Sequence, residues 1–194
     1  MRMMNKALTL GLALSLLAGC SKSVADKNAA TGADASTSAA TKAAGNNTIA
    51  KGLVGIAGDS KFLLAIKASG LEPVLAGPGP YTVLVPNDNA FAKLAPDRLN
   101  RLLTPAKRST LVRLLTIYIL PGTIRSADIS KAVDARGGSA KLMTMAGEPL
   151  TATKNGDKIL LSDAVGDKAV ITSVDANRSN GVVHHIDTML SPKG

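Results

Sequence analysis

The single cysteine of this chain stands at position 20, directly behind a short apolar stretch, and that placement constrains everything that follows it. Arg2 and Lys6 give a basic start, and residues 7–18 form a twelve-residue stretch whose only polar members are Thr9 and Ser15. A helix needs about 20 apolar residues to cross a hydrocarbon core of roughly 30 Å. The stretch is too short for that and has the length of the apolar region of a cleavable export signal. With no other cysteine among 194 residues, the remainder has no disulfide, no thiolate metal site and no cysteine nucleophile. Whatever folds there must be held by its core.

The end of the stretch, Leu17-Ala18-Gly19-Cys20, resembles the lipobox of bacterial lipoproteins. The resemblance implies that residues 1–19 are a signal peptide cleaved before Cys20, and that Cys20 is the site of lipid attachment. One acyl chain binds a membrane only marginally, and each buried methylene adds about 0.8 kcal/mol. Two or three chains on Cys20 would anchor the protein stably. Ser21 follows in place of the aspartate that marks inner-membrane retention, so the expected location is the cell envelope, at the outer membrane where the organism has one.

Residues 21–47 are almost entirely Ala, Ser, Thr, Lys, Asp, Gly and Asn, with Val24 the one larger apolar side chain. Such a segment buries too little to offset the entropy of ordering it. Residues 20–47 are therefore expected to be a disordered tether carrying the acylated cysteine, and residues 48–194 one domain. The full chain carries +9; setting aside Arg2, Lys6 and the tether's three lysines and two aspartates leaves +6 on the domain. Its basic residues are scattered along the sequence. The aromatics are only Phe62, Tyr81, Phe91 and Tyr118, too few for the stacking platforms that single-stranded nucleic acid requires, so no nucleic-acid partner is expected.

The first half of the domain reads helical. Asp59 or Ser60 can cap a helix carrying Phe62, Leu63 and Ile66, with Gly70 at its exit. Pro78-Gly79-Pro80 forces a turn into an apolar strand at 81–85, and Asn87-Asp88 opens another helix. Thr104-Pro105 starts a third, which places Leu111, Leu114, Leu115 and Tyr118 on one face before Pro121-Gly122 stops it. Beyond residue 140 the pattern predicts strands at 141–145, 149–153, 158–162, 169–174 and 181–187, with Asn155-Gly156 as a hairpin turn. Helices first and strands later predict an α+β domain on an antiparallel sheet or sandwich.

Three segments together carry a resemblance. Residues 81–91, YTVLVPNDNAF, resemble the first box of fasciclin (FAS1) domains, T-V-F-A-P-T-D-x-A-F. Residues 180–192, NGVVHHIDTMLSP, resemble the second, N-G-V-I-H-V-I-D-x-V-L-x-P, and residues 115–122, LTIYILPG, the central L-x-Y-H-V-x-P-G. The resemblance implies a twisted β-sandwich or wedge flanked by several helices. It also implies a generally non-catalytic role in adhesion or matrix interaction outside the cell; the partner expected on that basis is an unidentified envelope protein or an extracellular polysaccharide or matrix. Where the family has Tyr-His this chain has Ile117 and Tyr118, so the integrin adhesion associated with that pair in animal members is not carried over.

Little in the sequence points to chemistry. His184 and His185 are neighbours on a strand, so they face opposite sides and do not chelate one metal. His184 is expected to be structural, hydrogen-bonded near a sheet edge. Asn87-Asp88 is expected to cap a helix, and Gly181 to permit a tight entry to the last strand. There is no G-x-S-x-G elbow, P-loop or dinucleotide fingerprint. No catalytic residue, cofactor or metal ligand is assigned. The alternative to an adhesion module is a binding protein that takes a small ligand or lipid in a cleft between helices and sheet.

Overall fold

The computed structural model describes residues 47–193 apart from 55, 57, 95 and 96, so the signal peptide, Cys20 and the tether up to residue 46 lie outside the described residues. The chain opens with α1 (Ile49–Leu53), whose N-terminal Lys51 N–H is taken by the Thr48 hydroxyl at 3.4 Å. Helix α2 (Ser60–Ser69) ends at Gly70, which is left-handed at φ 78°, while the Leu71 N–H reaches back to the Ile66 carbonyl at 3.2 Å. The short α3 (Glu72–Ala76) leads into β1 (Tyr81–Pro86), and α4 (Asp88–Ala92) follows at once.

Helix α5 (Arg98–Leu102) precedes a 3₁₀ turn at Pro105–Lys107 and then α6 (Arg108–Thr116). The start predicted at Thr104-Pro105 is thus a tight turn, and the Thr104 hydroxyl donates backwards to the Arg101 carbonyl at 2.7 Å instead of capping forwards. Strand β2 (Ile119–Pro121) and α7 (Ser126–Ala135), neither of which the sequence pattern singled out, separate α6 from the strand-rich half.

That half contains β3 (Ser139–Met143), β4 (Pro149–Asn155), β5 (Lys158–Ser162), β6 (Lys168–Arg178) and β7 (Gly181–Ile186). The hairpin turn is Gly156-Asp157, one residue later than predicted, because Asn155 pairs with Lys158 and Gly156 takes the left-handed φ of 59°. Among the described residues seven strands form one sheet in the order β2-β1-β7-β6-β5-β4-β3. The expectation of a purely antiparallel sheet needs correction at one place. β1 and β7 run parallel, from Tyr81 opposite Gly181 to Pro86 opposite Ile186.

Strand β6 joins the two halves of the sheet. Its beginning pairs with β5, its end with β7, and register shifts between Ile171 and Ala176 bend it. Outer strands β2 and β3 then approach each other, and the Met145 N–H donates to the Ile119 carbonyl at 2.7 Å. The result is the α+β wedge flanked by helices.

Burial follows the strand types. β3, β4 and β5 alternate, turning Ala140, Leu142, Leu150, Ala152, Ile159 and Leu161 inward toward Ile129 and Val133 of α7. β1 is buried along nearly its whole length, as a strand covered on both faces must be. On its helical side Phe62 of α2 meets Tyr118 edge to face, with ring centroids 6.0 Å apart.

Candidate functional site

The polar residues that stand out in the sequence are drawn together by the parallel pair β1–β7, and each is engaged internally. His184 is wholly buried. The expectation that it lies near a sheet edge is corrected: β7 runs between β1 and β6, so the residue sits in the sheet interior. Its Nε2 lies 2.8 Å from the Ile124 carbonyl and its Nδ1 accepts from the Asp175 N–H at 3.1 Å. Those partners fix the neutral tautomer protonated on Nε2. Burial holds the imidazole pKa below its ordinary value, against the opposing pull of the Ile124 carbonyl and the Asp175 carboxylate.

Asp175, left-handed at φ 57°, turns its carboxylate to the start of α7, where it accepts from the Ser126 N–H at 2.9 Å and from the Ser126 hydroxyl. Thr82 donates to the Gly122 carbonyl at 2.7 Å and accepts from the Ile124 N–H at 2.8 Å. Thr82, His184 and Asp175 therefore pin residues 122–126 from three strands. A serine, an aspartate and a histidine converge here, yet the histidine contacts backbone and not the serine. The arrangement has no base aimed at a nucleophile.

His185 faces the other way, and its Nε2 lies 2.9 Å from the carboxylate of buried Asp59. Asp59 therefore does not cap α2 with its side chain. Asp88 does so from across the fold, accepting from the Lys61 N–H at 2.9 Å and the Ser60 hydroxyl at 2.6 Å. These bonds lower its carboxyl pKa, overcoming the raising effect of partial burial. Asn87 caps α4, accepting from the Ala90 N–H at 2.9 Å.

Asn180 is buried and three-handed: its oxygen accepts from the Ile49 N–H at 2.8 Å, and its amide donates to the Leu75 and Gly77 carbonyls at 2.8 and 2.7 Å. At Gly181 a Cβ would stand 1.9 Å from the Tyr81 carbonyl oxygen. Glycine there lets β7 enter alongside β1. The C-terminal segment is clasped in the same manner, with Asp163 accepting from Ser191 N–H at 2.7 Å and from three N–H groups of its own loop. No group of three or more His, Cys, Asp or Glu with metal-binding placement occurs among the described residues.

Two surface grooves lie apart from this internal network. One groove of about 680 Å³ opens between α7 and β5–β6, lined by hydroxyls of Ser126, Ser130, Thr172 and Ser173 with Ile159 and Val174. A second lies between α5 and α6. It consists of adjoining hollows of about 490 and 220 Å³ that share Arg98, Leu102 and Thr110, with Arg101 and Lys107 at one end and Arg113 and Lys193 at the other. The fold thus turns bases from one short stretch, residues 98–113, toward a common opening together with Lys193. Both grooves are open to solvent.

Residues 58–192 match the family model of the fasciclin domain. The chain is 33% identical over 150 residues to protein sll1483 of Synechocystis, covering 77% of this chain and 71% of that protein. It is 35% identical over 128 residues to transforming growth factor-beta-induced protein ig-h3 of Sus scrofa, where the match covers 66% of this chain but spans only 17% of the relative. A solved FAS1 domain pair from the insect cell adhesion molecule Fasciclin I is alike in fold, with a TM-score of 0.63 at 18% identity over 74% of this chain and 50% of that one.

Proposed function

The chain belongs to the fasciclin domain family, and from that premise we propose that it is a non-catalytic adhesion module of the cell envelope, exported by residues 1–19 and held to a membrane by acyl chains on Cys20. The observation that carries this reading is the internal engagement of the polar box residues. His184, Asn180, Asp88 and Thr82 each bond within the fold, so they are not available to a substrate. Recognition then falls to solvated outer faces, as for a module that meets large partners. The anchor is supported by Leu17-Ala18-Gly19-Cys20 and by the absence of any other cysteine from the sequence.

A second reading, a small-ligand carrier, has the groove between α7 and β5–β6 in its favour. Its 680 Å³ falls within the roughly 300–1,000 Å³ of ligand pockets. Its open, hydroxyl-rich lining differs from the enclosed apolar pocket that a lipid or hydrophobic ligand takes.

The test is in the native cell. A deletion strain should lose attachment to surfaces or to neighbouring cells, wild-type protein should restore it, and Cys20→Ala should not. Attachment unaffected by the deletion would remove the proposal.

A further inference from the structure

We infer that the groove between α5 and α6 binds an acidic polysaccharide, its carboxylates or sulfates meeting Arg98, Arg101, Lys107 and Arg113 and its sugar rings resting on Leu102 and Leu114. The inference rests on the adhesion reading above and names the partner's chemistry. Residues 97–116 contain five bases and one acid, Asp97. Spacing aligns the bases. Arg98 and Arg101 lie three apart on α5, and Lys107, Thr110 and Arg113 recur every three residues across the 3₁₀ turn and α6.

Arg108, the fifth base, is engaged elsewhere, its Nε–H donating to the Ser69 carbonyl at 3.0 Å behind α2. Among the described residues, Arg98, Arg101 and Lys107 have no salt-bridge partner. Arg113 pairs with Glu148 at 3.6 Å and donates to the Lys193 carbonyl at the groove's end, yet its side chain stays 57% exposed, so Arg98, Arg101 and Lys107 are the free charges and Arg113 adds to them. No acidic side chain lines either hollow. Like charges lining one groove repel, and an anion laid along it relieves them.

The groove's shape and apolar floor narrow the anion. Leu102, Leu114 and Pro192 form part of the lining of a hollow, an apolar floor of the kind on which the C–H faces of sugar rings can rest. A bilayer presents a plane and is met by protruding apolar side chains. None of the exposed large hydrophobics, Val54, Leu64, Met143, Met145, Val165 or Val174, lines this groove. No aromatic lines it either, and Phe62, Phe91 and Tyr118 are buried. Neutral glycans and single-stranded nucleic acid, which rely on stacking, therefore lack their platform. Charge must carry recognition.

The test uses the full chain in non-ionic detergent, titrated calorimetrically with a galacturonate oligomer, with the same oligomer reduced to neutral alcohols, and with a single-stranded oligonucleotide of equal charge. Wild type should bind the galacturonate, weaken as salt is raised, and ignore the reduced form. The double variant Arg98→Glu, Arg101→Glu should weaken binding by about tenfold or more. Lys67→Glu, Lys141→Glu alters net charge equally at exposed positions away from the groove and should leave affinity nearly unchanged. Equal losses in both double variants, equal binding of the reduced oligomer, or tighter binding of the oligonucleotide would each overturn the inference. Failure of wild type to bind galacturonate at all would overturn it too, while leaving the adhesion reading to stand or fall on the attachment of the deletion strain.

Discussion

Tyr118 and Leu190 grip each other through a single hydroxyl, which donates to the Leu190 carbonyl at 2.7 Å and accepts from the Leu190 N–H at 2.7 Å. The ring lies just beyond α6, wholly buried against Phe62, and the hydroxyl ties the C-terminal segment to the core. The buried neutral phenol fills this volume and serves both backbone groups.

Tyr118→Phe keeps the ring and strands a donor and an acceptor, each costing about 1–3 kcal/mol when left unmade. Thermal unfolding should show a lower but still cooperative midpoint, and limited proteolysis should release the C-terminus earlier. Tyr118→Ala removes the ring as well, a loss of about 3–5 kcal/mol, and should leave little folded protein. A Tyr118→Phe variant as stable as wild type would show that the two bonds contribute nothing.

Burial pushes the Tyr118 hydroxyl far above the ordinary phenol pKa. The unfolded chain releases this proton from about pH 10 upward, whereas the folded chain keeps it. Stability from this group is complete below that pH and declines above it. Urea midpoints between neutral and strongly alkaline pH should fall more steeply for wild type than for Tyr118→Phe. Parallel curves would contradict the burial of the phenol.

Burial lowers the His184 pKa, so the sign reverses. Above about pH 6.5 both states are neutral and the full contribution is present; below it the unfolded chain takes up a proton that the folded chain resists, and stability falls. Asp175 and His185 are the charged or titratable neighbours acting on this ring. Melting points measured from pH 7.5 down to 5 should decline for wild type. His184→Gln should start lower and decline less. An identical slope in the variant would place the titration elsewhere.

How much of this was legible in the sequence depended on range. β5 falls at the predicted residues 158–162, and the burial of Tyr118 follows from its place after Leu111 and Leu115, although it lies past the helix end and not on its face. The parallel pairing of β1 with β7 was not legible, since about a hundred residues separate the strands and no single crossover helix announces them. Asp88 reads as a cap for its own helix because capping is recognised locally, whereas its carboxylate serves α2. The basic groove was missed for a different reason: Arg98, Arg101, Lys107 and Arg113 are close in sequence, but which of them share one opening is set by α5, the 3₁₀ turn and the packing of α6.

Gly181→Ala tests the close approach of the two sequence boxes. Its Cβ would lie 1.9 Å from the Tyr81 carbonyl oxygen, so backbone and not a pliant side chain must yield. Overpacking costs roughly 1–3 kcal/mol and occasionally more. Hydrogen exchange should show loss of protection centred on residues 81–86 and 181–186, with β3–β5 less affected. Unchanged protection along β1 would mean that the contact is not as tight as described.

The measurement closest to the central claim is the intact mass and fractionation of the protein recovered from its own cells. The expected result is a membrane-fraction protein whose first residue is Cys20, carrying a diacylglyceryl group and a further acyl chain, and Cys20→Ala protein lacking that lipid and failing to remain with the membrane. A wild-type protein that begins well away from Cys20, bears no lipid and stays soluble would contradict it.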